Sequence, residues 1–303
     1  LGGGALTLAG GTTFQITGAT TIDNAVALNG AATVQTDAAV TLSGALSGGN
    51  HALTKSGAGT LTLSNTGNET GLTGGLTVAA GTLAIADDDA LVGGTLTLAG
   101  GTTFQVTGTT TLDNAIALNG SGTYDIGTGA TVTQSGVISG ANGLTKTGTG
   151  TLLLDGANTY SGTTTVTAGT LGGDGSLAGA LSIQSGATLA PGASAGDLAS
   201  GDLSLASGAT LAVELGGTTA GTEYDQLQVT GTVDVSGATL DVSLINAFTP
   251  TVGDTFTLIA NDASEAVTDP FNGLAEGATR VIGGLTFQIS YSGGDDNDVV
   301  LTV

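Results

Sequence analysis

Apolar and polar residues alternate in short runs along the whole chain. LTLAGG, TLTLSN, LTVAAG, TLLLDG, TTTVTAG, LSIQSG, LSLASG and LDVSL show the period of two that is typical of half-buried β-strands. Gly, Asn or Asp separates the runs, as in strands joined by tight turns. No stretch keeps a helical spacing of apolar residues over three turns, and the nearest helical candidate, NDASEAV around Asp262–Ala266, is one turn at most. The pattern predicts an all-β protein.

Long stretches of the chain are repeated. Residues 6–30 recur at residues 96–120 with 21 of 25 positions identical, and a second pair of similar blocks follows at 51–83 and 143–171. Repetition favours a parallel β-solenoid over a sandwich or barrel, because each residue of a stacked coil lies above its counterpart one coil below. A sandwich or barrel stays the alternative, mainly for the last hundred residues.

The predicted solenoid has Leu, Val, Ile and Ala inside and Thr, Ser, Gln and Asp outside. A composition of 40% hydrophobic but only 3% aromatic residues fits a narrow core. We expect a repetitive solenoid over residues 1–200, built from two repeats of about 90 residues (about 1–90 and 91–180). Residues 201–303 are expected to form a C-terminal solenoid or capping section, in part more sandwich-like.

The charge is strongly negative. There are 25 acidic residues against three basic ones, a net charge of −22, which argues against nucleic acid as a partner because phosphate binding needs clustered Lys and Arg. The absence of Cys excludes disulfides and is compatible with secretion. No apolar run is long enough for a transmembrane helix. The chain opens LGGGALTLAGG without Met, so we expect a processed or truncated piece of a longer protein.

One block carries a family resemblance. Residues 143–171 read G-L-T-K-x-G-x-G-T-L-x-L-x-G-x-N-T-Y-x-G-T-T-x-V-x-A-G-T-L, which closely resembles the passenger-associated strand repeat of bacterial autotransporters. The copy at 51–83 reads GNETG at 67–71 in place of N-T-Y. It keeps these positions of the pattern: Lys55, Gly57, Gly59, Thr60, Leu61, Leu63, Gly81 and Leu83. The segments at 186–198, 224–244 and 293–303 look like the closing section of such passengers. The resemblance implies a right-handed parallel β-helix, exported by a bacterium and displayed at the cell surface or released, commonly as an adhesin or stalk.

Catalytic chemistry has little support in the sequence. His51 is the single histidine, so neither a nitrogen-rich metal site nor a Ser-His-Asp arrangement is indicated. Glycosidases need two nearby carboxylates, and sugar sites usually add aromatic platforms, but the chain has four Tyr, six Phe and no Trp. Three scattered cations also suit a polysaccharide lyase poorly. We expect a non-enzymatic protein with no required cofactor.

Two acidic loops are candidate Ca²⁺ sites, because Ca²⁺ takes several oxygen ligands from flexible loops. Solvated turns without an ion are the alternative interpretation. The candidate ligands are Asp87, Asp88 and Asp89 in one loop, and Asp295, Asp296, Asn297 and Asp298 near the C-terminus.

Two further features recur with the repeats. Lys55 and Lys146 hold equivalent positions, where each is expected to cap a turn at the surface and to pair with an acid on the adjoining coil. The threonine runs 109–111 and 163–165 reflect either β-propensity on an exposed face or a flat surface that matches a regular lattice.

The sequence predicts a secreted or cell-surface structural or adhesive β-solenoid, such as a stalk, surface layer or fibre subunit. A polysaccharide-acting lyase or hydrolase on a parallel β-helix is the alternative function. Expected partners are a surface glycan or receptor, or copies of the same chain joined end to end by strand addition. The strand DVVLTV at residues 298–303 is the predicted C-terminal joint.

Overall fold

Parallel strands that stack coil upon coil make up both units of the chain, Leu1–Gly150 and Thr151–Val303. The computed structural model describes residues 2–262 and 265–303. The helical candidate around Asp262–Ala266 therefore lies partly outside the described residues. The predicted division near residue 200 stays a prediction. The predicted parallel β-solenoid is confirmed.

The first unit contains short strands with bounds as follows: β1 Leu6–Ala9, β2 Thr13–Ile16, β3 Thr20–Ile22, β4 Val26–Asn29, β5 Ala32–Thr36, β6 Val40–Leu42, β7 Leu46–Ser47, β8 Leu53–Ser56, β9 Thr60–Leu63, β10 Leu76–Val78, β11 Thr82–Ile85, β12 Leu96–Leu98, β13 Thr103–Val106, β14 Thr110–Leu112, β15 Ile116–Leu118, β16 Gly122–Ile126, β17 Thr131–Gln134, β18 Ile138–Gly140 and β19 Leu144–Thr147.

The sheets of the first unit run along the stack of coils. Their orders are β1-β4-β7, then β2-β5-β8-β10-β12-β15-β18, then β3-β6-β9-β11-β13-β16-β19, while β14 pairs with β17. Leucine and isoleucine therefore stack inside in register. The successive partners of the second sheet, each at most 1% exposed, are Leu53, Leu76, Leu96, Ile116 and Ile138.

In the described residues of this unit, 2–150, helical structure is limited to single turns at the coil corners. A short helix, α1, spans Asn68–Gly71, and a 3₁₀ turn spans Asp88–Ala90. The amide of Asn68 is buried and joins three coils, because Oδ1 accepts Leu46 N (2.8 Å) and Nδ2 donates to Ala90 O (2.9 Å). Of the helical segments that the structure describes, none has the length and apolarity needed to cross a membrane.

The second unit continues the same type of strand, with these bounds: β20 Thr151–Leu154, β21 Ala157–Asn158, β22 Thr164–Val166, β23 Thr170–Gly173, β24 Ser176–Leu177, β25 Leu181–Ile183, β26 Thr188–Pro191, β27 Asp197–Ser200, β28 Leu203–Leu205, β29 Thr210–Leu215, β30 Gln226–Val229, β31 Val233–Asp234, β32 Thr239–Leu244, β33 Thr255–Asn261, β34 Thr279–Ile282, β35 Leu285–Gly293 and β36 Asp298–Thr302.

The C-terminal strands depart from the solenoid. The parallel sheets β20-β23-β26-β29-β32 and β22-β25-β28-β31 lie beside β21-β24-β27-β30-β33, and this last sheet continues through β36, β35 and β34 with antiparallel pairing. Arg280 on β34 donates from Nη1 to Leu240 O, so the antiparallel strands also contact β32. A differently built C-terminal section was expected and is found.

The predicted C-terminal joint is wrong. Strand β36 is internal, because β33 pairs with one of its edges and β35 with the other. Thr257 faces Val300 across one edge, and Ser290 faces Val300 across the other. The backbone groups that strand addition would need are already hydrogen-bonded.

Threonine lines the outward faces in longer columns than the sequence suggested. Of the two named runs, the one at 163–165 turns Thr164 inward, where its Oγ1 lies 2.6 Å from Tyr160 Oη. The columns lie elsewhere. The successive partners in the third sheet of the first unit are Thr60, Thr82, Thr103, Thr123 and Thr145, and those in the second unit are Thr151, Thr170, Thr188, Thr210 and Thr239.

Candidate functional site

The acidic loop after β11 forms a turn capped by its own side chain. Asp87 Oδ1 accepts Asp89 N at 3.1 Å, which fixes the start of the 3₁₀ turn. Asp88 N donates to Thr110 Oγ1 at 3.1 Å, a residue one coil later. The three carboxylates therefore have different roles. Asp87 is a turn cap, whereas Asp88 and Asp89 both approach acids of other coils.

Asp88 lies beside two acids that the sequence reasoning missed. One carboxylate oxygen each of Glu69, Asp88 and Asp113 lies within 4.8 Å of the others. Glu69 is on α1, in the GNETG segment where the repeat departs from its pattern, and Asp113 follows β14. Coil stacking brings the three together, so alignment of successive coils was the signal that could have found them.

The cluster has an unfavourable electrostatic environment. Asp88 Oδ1 is buried and, within the described part of the chain, has no hydrogen-bond partner. Burial raises the pKa of Asp88 to about 6, with a further contribution from Asp113 and Glu69. Burial also raises the pKa of Glu69, and its hydrogen bond with Asp89 adds to this. A cation among these oxygens would remove the repulsion.

A cleft of about 650 Å³ adjoins the cluster and is lined by Glu69, Asp113 and Asn114 together with glycine-rich backbone. Asn114 is 7% exposed, and its Nδ2 donates to Val92 O (2.8 Å) and Gly94 O (2.9 Å). A Cβ on Gly94 would lie 2.2 Å from Gly75 N, so glycine is required there. Among the described residues that line the cleft there is no aromatic ring and no Lys or Arg.

The C-terminal cluster forms the turn between β35 and β36. Asp298 Oδ1 accepts Asn261 N at 2.9 Å, and burial raises the pKa of Asp298. Asp295 and Asp298 line a depression of about 290 Å³ with Asn261. Asp296 has a φ of 86° within the turn, and Asn297 is 5% exposed. The arrangement closes a tight turn and presents two carboxylates to one depression.

The two repeat lysines are not where the sequence placed them. Lys55 and Lys146 are both 0% exposed, so the expected surface position is wrong. The turn-capping role is confirmed, because Nζ of Lys55 donates to Gly57 O (2.7 Å) and Nζ of Lys146 donates to Gly148 O (2.8 Å). Backbone carbonyls at the end of β8 and β19 are thus the acceptors.

Comparison with known proteins supports the resemblance seen in the sequence. The family model of the passenger-associated-transport-repeat matches residues 53–85 and 144–172. The chain is 33% identical over 151 residues, 49% of its length, to the protein named adhesin BmaC autotransporter of Brucella suis biovar 1 (strain 1330). The matched region is 4% of that much longer protein.

Both matched repeats lie in stacked parallel coils, as the resemblance implied. Residues 53–85 span β8 to β11, and residues 144–172 begin with β19. The homology indicates a bacterial surface or secreted protein. In its repeats, its relative and its fold, this chain is similar to the passengers of bacterial autotransporters.

Proposed function

We propose that this solenoid is an adhesive segment of a bacterial surface protein and binds a glycan or receptor on another surface. The observation that carries the proposal is the similarity of half the chain to a protein named as an adhesin. The columns of threonine hydroxyls on the outward faces support it, since they offer a regular, uncharged polar surface. The net charge of −22 opposes contact with other anionic surfaces.

A bead assay tests the proposal. Beads coated with the purified chain are expected to bind host cells or a glycan-coated surface, and soluble chain should compete. Beads coated with the variant Leu152→Asp serve as a matched control, since Leu152 is 0% exposed and a carboxylate there disrupts the stack. Equal binding by both bead preparations would show that the folded solenoid is not the adhesive element.

The polysaccharide-acting enzyme is the second candidate, and we propose that the chain lacks this activity. Glu69 and Asp113 do offer two carboxylates at a cleft, as a glycosidase would. The cleft is lined by glycine backbone and acids, which favours binding of a cation over cleavage of a sugar chain. Release of reducing ends or unsaturated products from acidic polysaccharides would overturn the proposal, and retention of that release by Glu69→Gln would show that it arises elsewhere.

We also propose that Ca²⁺ binds among Glu69, Asp88 and Asp113. Two oxygens on opposite sides of one Ca²⁺ ion, each at about 2.4 Å, are about 4.8 Å apart, and these carboxylate oxygens all lie within 4.8 Å of one another. Asp87 and Asp89 flank Asp88 and add negative charge. Asp295 and Asp298 form the weaker candidate, because Asp298 already accepts a backbone N–H, with Asp296 and Asn297 in the same turn.

Self-association of the chain by strand addition remains a proposal. Sedimentation of the intact chain at increasing concentration tests this. A strictly monomeric chain, with and without Ca²⁺, would contradict it.

A further inference from the structure

A buried ammonium group joins two successive coils at the first repeat. Lys55 is the third residue of β8; its side chain points inside and is 0% exposed. Its Nζ donates to Ser56 O (3.1 Å) and Gly57 O (2.7 Å) in its own turn, and to Ala80 O (2.9 Å). Ala80 belongs to the turn between β10 and β11, which is one coil later. The three donors of an ammonium group thus meet three backbone carbonyls.

The second repeat has the same arrangement in its own turn. Lys146 is 0% exposed, and its Nζ donates to Thr147 O (3.0 Å) and Gly148 O (2.8 Å). These acceptors lie one and two residues after the lysine, as Ser56 and Gly57 do. Recurrence in both copies indicates that the repeat sequence specifies this contact.

The glycines of the K-x-G-x-G segment make room for the ammonium group. Gly57 has a φ of 77°, and a Cβ there would lie 2.3 Å from Thr36 O. Gly81, on the following coil, has a φ of 72°, and a Cβ would lie 2.6 Å from Gly57 O and 2.8 Å from Lys55 Nζ. A side chain at Gly57 would push its turn away from the preceding coil, and one at Gly81 would push apart the two turns that Lys55 joins. The lysine and its glycines therefore form one structural unit.

Lys55 keeps its proton in this cage at neutral pH, although burial disfavours the charged form. Burial lowers the pKa of Lys55 to about 8, and the carboxylate of Asp37 on the preceding coil opposes this shift. The amine is therefore mostly protonated at neutral pH. Asp37 is held by Gln15 (3.0 Å) and Gln35 (3.2 Å), so it stays outside while the ammonium bonds carbonyls. Loss of the ammonium would leave buried carbonyls without donors, which is costly.

We propose that the lysine of the K-x-G-x-G segment is a conformational clamp, an internal cation that holds the turn of its own coil to the turn of the next. In this role it takes the place of a bound metal ion at a position where backbone carbonyls converge. The glycines permit the approach, and the ammonium supplies the donors.

Chemical replacement of the lysine tests the clamp. The chain has no Cys, so Lys55→Cys carries a unique thiol. Alkylation in denaturant with 2-bromoethylamine gives a side chain that differs from lysine by a sulfur in place of a methylene, and alkylation with 1-iodopropane gives the same shape without the ammonium. We expect the aminoethyl derivative to refold and melt close to wild type, and the propyl derivative to melt about 5–10 °C lower.

Hydrogen exchange gives the local readout. In the propyl derivative, peptides over residues 55–60 and 78–83 should exchange faster than in the aminoethyl derivative, while residues 20–29 should be unaffected. Gln184→Glu, an exposed substitution in the second unit, controls for the change of one charge unit. The clamp is refuted if the two derivatives melt alike, if residues 78–83 exchange equally in both, or if neither derivative refolds when wild type does.

Discussion

Asp88 and Asp113 belong to successive coils, and their carboxylates approach each other and Glu69 within 4.8 Å. Neither acid is compensated by a neighbouring cation, because the chain has only Lys55, Lys146 and Arg280, and these contact backbone carbonyls. The stack of coils holds the acids together against their repulsion. Cation binding at this position would turn an unfavourable contact into a stabilising one.

The effect of Asp113→Asn on the melting temperature should change sign when Ca²⁺ is added. In EDTA the substitution removes repulsion, so we expect a melting temperature equal to or slightly above that of wild type. With millimolar Ca²⁺, wild type should gain several degrees that the variant lacks, because binding to the folded state stabilises it by mass action. Melting curves in EDTA, Ca²⁺ and NaCl of matched ionic strength measure this.

Asp23→Asn is the matched control. Asp23 precedes Asn24 in the first copy of the long repeat as Asp113 precedes Asn114 in the second, and both are exposed. The control should keep the full Ca²⁺ effect. An equal response of Asp23→Asn and Asp113→Asn, or a wild-type response no larger with Ca²⁺ than with NaCl, would leave only general screening.

The stability of the ion-free protein should depend on pH near neutrality. Burial raises the pKa of Asp88 from 3.8 to about 6, so this group stabilises the fold when protonated and loses that contribution as the pH rises through about 6. In EDTA, lowering the pH from 7 to 5 should therefore raise the free energy of unfolding. After allowance for solvent screening, we expect about 1 kcal/mol from Asp88.

Asp88→Asn isolates this group. Asp225 contributes with the same sign, because burial raises its pKa to about 7. Urea denaturation at several pH values gives the slope of the free energy of unfolding against pH. The difference in this slope between wild type and Asp88→Asn is the contribution of Asp88. Identical slopes would show that its carboxyl titrates normally.

Leu152→Asp should disrupt the second unit. Leu152 is 0% exposed and stacks on Leu171, so an aspartate there buries an unpaired carboxylate at a cost of several kcal/mol. The neighbouring Thr151→Asp points outward, beside Thr170, and should change the melting temperature by little. Circular dichroism melts of the pair would reveal a register error if Thr151→Asp were the more damaging change.

Deletion of residues 299–303 should destabilise the C-terminal section. Strand β36 pairs with β33 and β35, and Val299 and Leu301 are 0% and 2% exposed. Loss of this central strand should expose the apolar side chains of β33 and β35, increase binding of a hydrophobic dye and lower the melting temperature. A fully stable truncated chain would contradict the pairing.

Much of the architecture follows from local sequence. Alternation and repetition predicted parallel stacking, and Leu152 lies inside as its alternation indicates. Contacts between residues of different coils could not be predicted from local sequence. Asp88 was predicted as a Ca²⁺ ligand, but its neighbours Glu69 and Asp113 come from other coils. The alignment of these coils depends on insertions at the corners, such as α1. The strand at 298–303 alternates like a free edge, yet the turn at Asp295–Asp298 folds it between two others.

The lysines show why burial is hard to predict from residue type. Lys55 reads as a surface residue because charged side chains are seldom buried without a partner. Its partners are carbonyls in two turns, one of them on the following coil, and no side-chain pattern marks a carbonyl. The glycines of K-x-G-x-G are the sequence signal of this cage, but their meaning requires the stacked structure.

Attachment under flow measures adhesion by the folded solenoid. A non-adherent bacterium displaying the chain on its surface would be compared with the same strain displaying Leu152→Asp at equal surface density, on host cells in buffer with Ca²⁺. We expect several-fold more attached cells for the wild-type chain, and inhibition by soluble wild-type chain. Equal attachment of the two strains, at the level of a strain without the chain, would contradict it.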